Sequence, residues 1–176
     1  LDPWYRFNFH DQTQFDYGPN REEMLTQIEK ISPEDVDGYL KMLKEANAIF
    51  ELGYQKLAGH PFHKIFTMIK YAPAIIKMRG YESVYTFVSR YLKHPNLRQA
   101  FSIQPLLVGG NPFQTSSIYA LIHSLEQKWG IYFCMGGTGK LVHELEKLML
   151  RHDIKIKYQH DVEHLSTKNN KISEIH

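Results

Sequence analysis

VGGNPFQTSSIYALIHSLEQKWGIYFCMGGTGKLVHEL, running from Val108 to Leu145, holds two double-glycine turns around one apolar, aromatic-rich helical pattern. Gly136-Gly137-Thr138-Gly139 opens a second helical pattern, Lys140 to Arg151, with Leu141, Leu145, Leu148 and Met149 on its expected inner face. Ile154-Lys155-Ile156-Lys157-Tyr158 then alternates as a strand. Val162–Ser166 and Lys171–Ile175 read as two strands joined by Asn169-Asn170, the start of a small β-meander.

Upstream, Tyr5 to His10 and Thr13 to Tyr17 alternate apolar and polar about Asp11-Gln12, a hairpin closed by Gly18-Pro19. From Asn20 the period becomes helical, with Met24, Leu25, Ile28 and Ile31 on one face. Ser32-Pro33-Glu34-Asp35 has the form of a helix start with Ser32 as N-cap, and the helix that follows runs to about Leu57. His63 to Met78 reads as a helix kinked or split at Pro73. Further helices are expected over 83–92, 97–101 and 115–129, and Ile131-Tyr132-Phe133 reads as briefly extended. The fold class is therefore α+β with helix dominant: a β-hairpin over 1–18, a helical region over 19–130, and a return through helix and strands over 131–176.

Of the 176 residues, 43% are apolar and 23% charged, a globular composition large enough to bury a core. Cys134 is the single cysteine, which excludes an internal disulfide and fits a reducing compartment. No run of eighteen apolar residues occurs, so no segment reads as a spanning helix. The first residue is Leu1 and the last falls within a hairpin pattern, as expected of a piece of a longer protein. The net charge of +2 conceals an asymmetry. Residues 1–51 carry eleven Asp or Glu against five Lys or Arg, whereas residues 52–125 carry eight bases and one acid, Glu82. A basic middle third rich in Ile, Phe, Met and Tyr points to an anionic lipid surface, not to nucleic acid.

Several motifs are weaker than they look. Gly139-Lys140 lacks the glycine five residues earlier and the following Ser or Thr that a phosphate loop requires, since Cys134 and Leu141 stand there. His160 and His164 are four apart as in a metalloprotease helix. On a strand, however, they lie about 13 Å apart and cannot share an ion, so no metal site is expected. Phe62, Ile65, Phe66, Ile69, Lys70, Ile76 and Lys77 belong to a stretch with no acid, whose helix of about 21 Å is too short to cross a bilayer. It reads either as a core helix with lysines in water or as a helix lying in a membrane interface. Phe101, Phe113, Tyr119, Trp129, Tyr132 and Phe133 are individually core-like; as a group they fit the lining of a long apolar tunnel.

LDPWYRF at the start, LRQAFS from Leu97 to Ser102, and NPFQTSSIYALIHSLE from Asn111 to Glu126 together resemble the bacterial phytoene desaturases. These are FAD-dependent, carotenoid-forming members of the amine-oxidase-like flavoprotein superfamily, and the resemblance covers essentially the whole chain. It implies partial substrate-binding and FAD-binding domains, phytoene or a related carotenoid as substrate, stepwise dehydrogenation toward neurosporene or lycopene, and a peripheral position on the cytoplasmic face of a membrane. It also implies that Val162 touches the FAD adenine through its backbone, while the glycine-rich βαβ motif that would hold most of the cofactor is not in this chain. A non-enzymatic helical module that binds apolar lipid or a membrane surface is the other reading the same helices allow.

Overall fold

The computed structural model describes residues 1–57, Gly59 and 65–176, and these form two compact units, Leu1–Tyr132 and Phe133–His176. In the first unit β1 (Tyr5–Asn8) pairs antiparallel with β2 (Gln14–Tyr17), Tyr5 opposite Tyr17 and Asn8 opposite Gln14. The alternation expected of the hairpin is present: Phe15 and Tyr17 are buried while Arg6 and Asp16 form a two-bond ion pair at 2.7 Å on the other face. The outer edge of β2 is covered from α1 (Arg21–Ile31), where the Gln27 amide both donates to Asp16 O (2.9 Å) and accepts from Asp16 N (2.7 Å). The side chain thus supplies the pairing a further strand would make. Asn20 caps α1, its Oδ1 accepting from Glu22 N and Glu23 N.

The expected cap at Ser32 takes a different form. Ser32 is extended and precedes a 3₁₀ turn over Pro33–Asp35, but its side chain makes no capping bond. Asp35 is the residue that matters there. It is fully buried, and its carboxylate accepts from Lys93 N (2.7 Å) and His94 N (2.8 Å), which ties the start of α2 (Val36–Phe50) to the turn between α4 (Val84–Ser89) and α5 (Pro95–Ala100). Three residues on, Gly38 lets the helix backbone lie against that same turn: a Cβ there would sit 2.0 Å from the Tyr91 carbonyl oxygen. Tyr39, Met42, Ala46, Ile49 and Phe50 form the buried face of α2, and the helix continues as a π-helical segment over Glu51–Leu57.

α3 (Ile65–Lys77) runs unbroken through Pro73, contrary to the expected split. Proline removes one backbone donor, and because both Pro73 and Ile69 are exposed, the acceptor it frees faces water instead of a dry interior. Phe62 and His63 lie outside the described residues. The helix expected over 115–129 is shorter: Ser117–Ala120 is a 3₁₀ turn and α6 spans Leu121–Trp129.

In the second unit α7 (Gly137–Arg151) starts from Gly136, whose φ of +92° is the left-handed geometry the double glycine allows. β3 (Leu165–Lys168) and β4 (Lys171–Ile175) form the expected hairpin, with positive φ at Asn169 and Asn170. Two expectations fail here. Ile154–Tyr158 is not a strand, and Leu141, Leu145, Leu148 and Met149 are exposed, not inward. Both patterns describe burial against a neighbour, and no neighbour is supplied among the described residues of this unit.

Gly38→Ala decides between propensity and packing. Helix propensity alone favours alanine by about 1 kcal/mol, but the Cβ meets backbone and must displace it, an overpacking cost of about 1–3 kcal/mol or more. The expected outcome is a net loss of stability in urea unfolding of the 176-residue chain.

Candidate functional site

The NPFQTSSIY block forms a clamp across residues 79–85. Asn111 Oδ1 accepts from Phe113 N (2.9 Å), closing the turn that Thr115 N completes on Asn111 O (2.8 Å). From this turn Thr115 O and Pro112 O accept from Val84 N (2.9 Å) and Tyr85 N (3.1 Å), while Ser83 Oγ takes Thr86 N (3.1 Å). The orphan donors at the start of α4 are thereby satisfied. Ser117 N donates to Glu82 O (2.7 Å) and Ser117 Oγ to Arg79 O (3.0 Å), and Ser116 Oγ donates to Gly80 O. These residues hold backbone in place and present no reacting group.

Beneath the clamp, α6 carries a buried polar knot. Glu126 accepts from Tyr17 OH (2.8 Å) and Tyr5 OH (3.2 Å). His123, completely buried, places Nε2 3.0 Å from Phe101 O, so that nitrogen donates and Nδ1 accepts from the Gln104 amide at 3.1 Å. Burial pushes the imidazole from its ordinary 6.5 to about 4, against the opposing bond to Phe101 O. Burial raises the Glu126 carboxyl, while the bonds from Tyr17, Tyr5 and Gln104 hold it back. The knot joins the β-hairpin to the helices. Nothing in the sequence spacing announced it, because its two tyrosines lie more than a hundred residues from His123 and Glu126.

Of the six aromatic residues expected to line a tunnel, the five in the first unit have different surroundings. Phe101 is fully buried and packs on Phe15, Tyr17, Tyr39 and His123 at centroid distances of 5.0–5.8 Å, so within this chain it is core and not lining. Phe113 does open onto a cavity of about 440 Å³, its ring tilted against Tyr85 with centroids 4.6 Å apart, with Ile103, Leu106 and Pro112 around it. Tyr119 is partly exposed. Trp129 is half-exposed against Phe50 (5.7 Å) and Tyr54 (6.3 Å), partners the sequence assigned to a helix face and not to the group. Tyr132 is 84% exposed, and Phe133, at the start of the second unit, is also exposed.

Along α3, Ile65, Phe66, Met68, Ile69 and Ile76 are all exposed, Phe66 at 82%, and no residue of the helix is buried. Lys70 and Lys77 are exposed beside this apolar face, with Lys70 Nζ 5.3 Å from the Tyr71 ring. At about 100° per residue Ile65, Ile76, Ile69 and Pro73 share one side, Phe66 borders it, and both lysines lie just beyond Phe66. Among the described residues no helix is long and apolar enough to cross a membrane, and no cluster of three or more His, Cys, Asp or Glu forms.

For a flavin, the second unit offers little. Val162 is 62% exposed and outside any strand, with no backbone hydrogen bond of its own among those formed by its neighbours Glu163 and His164 with His176. One free backbone group and a glycine turn do not make a dinucleotide cradle, so the residues of this chain do not by themselves fit FAD.

No family model matches the chain. Individual proteins do. The carotenoid desaturases are the class that the sequence matches. Among them the lycopene-forming phytoene desaturase of Pseudescherichia vulneris is 41% identical over 173 residues, 98% of this chain and 35% of that protein. The corresponding enzyme of Pantoea ananas is 41% identical over 99% of the chain and 35% of its own length, and that of a Paracoccus strain 44% identical over 86% and 30%. The chain is thus a homologue of the phytoene desaturases and spans about a third of the length of the curated relatives it matches.

The knot sets the acid response of the fold. His123 has a folded pKa below its unfolded one, so the unfolded chain takes up the proton first and up to about 3 kcal/mol of stability is lost as pH falls from 6.5 toward 4. Glu126 is raised, so the folded state takes its proton first and acidification offsets part of that loss. Glu126→Gln removes the offset; urea midpoints of the variant should fall more steeply over this range than those of the parent chain.

Proposed function

We propose that the chain is the substrate- and membrane-facing part of a flavin-dependent desaturase that dehydrogenates phytoene stepwise toward neurosporene or lycopene. The observation that carries this is identity of 41–44% over nearly the whole chain to proteins named as lycopene-forming phytoene desaturases. A neurosporene-forming enzyme of Cereibacter sphaeroides at 33% identity lies within the same group. In this reading FAD carries the redox chemistry and is held mainly by polypeptide beyond these residues, in an amine-oxidase-like domain that Val162 and α7 adjoin. The present chain binds, orients and shields a hydrocarbon that offers no polar handle.

Two features of the surface support the division of labour. The Phe113–Tyr85 cavity is apolar and of a size that suits part of a polyene, and the exposed Trp129 and Tyr54, packed on buried Phe50, offer a second apolar contact surface. The bare apolar side of α3, bordered by Lys70 and Lys77, has the composition of a helix that lies in a lipid interface. In this reading the protein attaches peripherally to the cytoplasmic face of the membrane and draws phytoene from the lipid, and the bare side of α3 supports the attachment.

The full-length protein that carries this chain, supplied with FAD and phytoene in vesicles, is expected to form products whose absorption moves into the visible as conjugation lengthens. Absence of any desaturated product would overturn the enzymatic reading and leave a lipid-binding module. Phe113→Asp places a charge in the apolar cavity and should lower kcat/KM for phytoene about tenfold or more, the effect of burying an unpaired carboxylate being at least 1.4 kcal/mol. The 176-residue chain alone should quench flavin fluorescence weakly or not at all on titration with FAD.

A further inference from the structure

Beside α3 lies a groove that the desaturase reading leaves unused. Lys41, Lys44, Glu45, Ala48 and Leu52 follow one another at i, i+3, i+4, i+7 and i+11 along one side of α2 and its π-helical continuation. Opposite them stand Lys77 and Met78, at the end of α3, and Tyr91. The groove between has a volume of about 640 Å³, within the range of small-molecule sites. Its floor is apolar, made by Ala48, Ile49, Leu52 and Met78, and its rim carries three ammonium groups.

Glu45 is the one acid among the residues lining this groove, and it is already engaged: Tyr91 OH donates to it and Arg90 lies 3.8 Å away. None of Lys41, Lys44 and Lys77 forms an ion pair among the described residues. A site with a positive rim over an apolar floor is complementary to a molecule with an anionic head and a hydrocarbon tail. Free phosphate would leave the floor wet, and a neutral hydrocarbon would leave the rim unmatched. Lysine, with a compact charge on a flexible apolar stem, suits a headgroup at the level where hydrocarbon meets water. Lys77 belongs at once to this rim and to the border of the exposed side of α3, so the groove opens where that helix would meet a bilayer.

We infer that the groove between α2 and the end of α3 binds an anionic phospholipid, with its phosphate against Lys41, Lys44 and Lys77 and the start of an acyl chain on Ala48, Ile49, Leu52 and Met78. The inference rests on the membrane-facing reading of α3 and adds a lipid selectivity to it. It is tested by co-sedimentation of the chain with vesicles of phosphatidylcholine alone and of phosphatidylcholine mixed with phosphatidylglycerol. The parent chain should bind both and favour the mixed vesicles. The Lys41→Gln/Lys44→Gln/Lys77→Gln variant should lose that preference, about tenfold or more for three charges near the surface, and keep its binding to neutral vesicles.

Ala48→Trp is the sharper variant. Ala48 is exposed, so the substitution leaves the core alone; it fills the groove and keeps every lysine. It should abolish the preference as fully as the triple variant does. If Ala48→Trp keeps the preference, the lysines act as diffuse surface charge and the site is overturned. If inorganic phosphate at low millimolar concentration removes the preference, the groove is a phosphate site and the lipid assignment is overturned. Failure of the parent chain to bind either vesicle type overturns the membrane reading itself, an outcome distinct from the other two.

Discussion

Glu126 sits in an interior otherwise built from rings and aliphatic chains, and its two hydrogen bonds from Tyr17 and Tyr5 are what allow a carboxyl to be there. A buried carboxyl without donors costs several kcal/mol, so once Glu126 is placed the hairpin that carries both tyrosines is placed with it. His123, one turn earlier on α6, extends the constraint by donating to Phe101 O, and the Phe101 ring packs against Phe15, Tyr17 and Tyr39. Strand, helix and the α5 terminus are held by the same few contacts. The knot therefore works as a registry device: the tyrosine hydroxyls, imidazole and carboxyl are paired, while Gln104 Oε1 has no partner among the described residues.

The remainder of the first unit is arranged so that backbone satisfies backbone. No side chain caps the start of α2; Asp35 instead reaches the amides of Lys93 and His94 across the close contact that Gly38 permits. The Asn111–Ser117 turn does the same for α4 and for the carbonyls of Arg79, Gly80 and Glu82. The most distinctive wording of the sequence is explained by this accounting and not by chemistry. Catalytic power, in the proposed function, belongs to the cofactor, and a scaffold for a featureless hydrocarbon needs shape more than it needs acids and bases.

What the chain does not satisfy internally is apolar surface, and it leaves two kinds. On α3 the exposed row is bordered by lysines and carries no acid. On α7 the exposed Leu141, Leu145 and Leu148 stand beside a polar face braced by Lys140–Glu144 and Glu144–Lys147 pairs at 3.0 Å. Charges of one sign beside an apolar row suit an anionic lipid interface, whereas paired charges neutralise each other and mark an ordinary water-facing side. In the proposed function, the difference separates a helix that meets lipid from one that is amphipathic in the usual way.

Local signals were read well from the residues: the β1–β2 hairpin from its alternation, the start of α1 from the change of period at Asn20, the Asn169-Asn170 turn from its dipeptide. Each depends on backbone preferences that act within a few residues. The extended reading of Ile154–Tyr158 and the inward face of α7 failed because hydrophobic periodicity reports that a neighbour is wanted without supplying it. Tertiary structure alone decided that Phe101 is core while Phe113 faces a cavity, since two phenylalanines have the same local signature and differ only in what distant segments bring against them. It also decided the Tyr17–Glu126–His123 knot and the lysine-rimmed groove, because a carboxyl is matched to its donors, and an ammonium to an apolar floor, only after the chain has folded back over a hundred residues or across two helices.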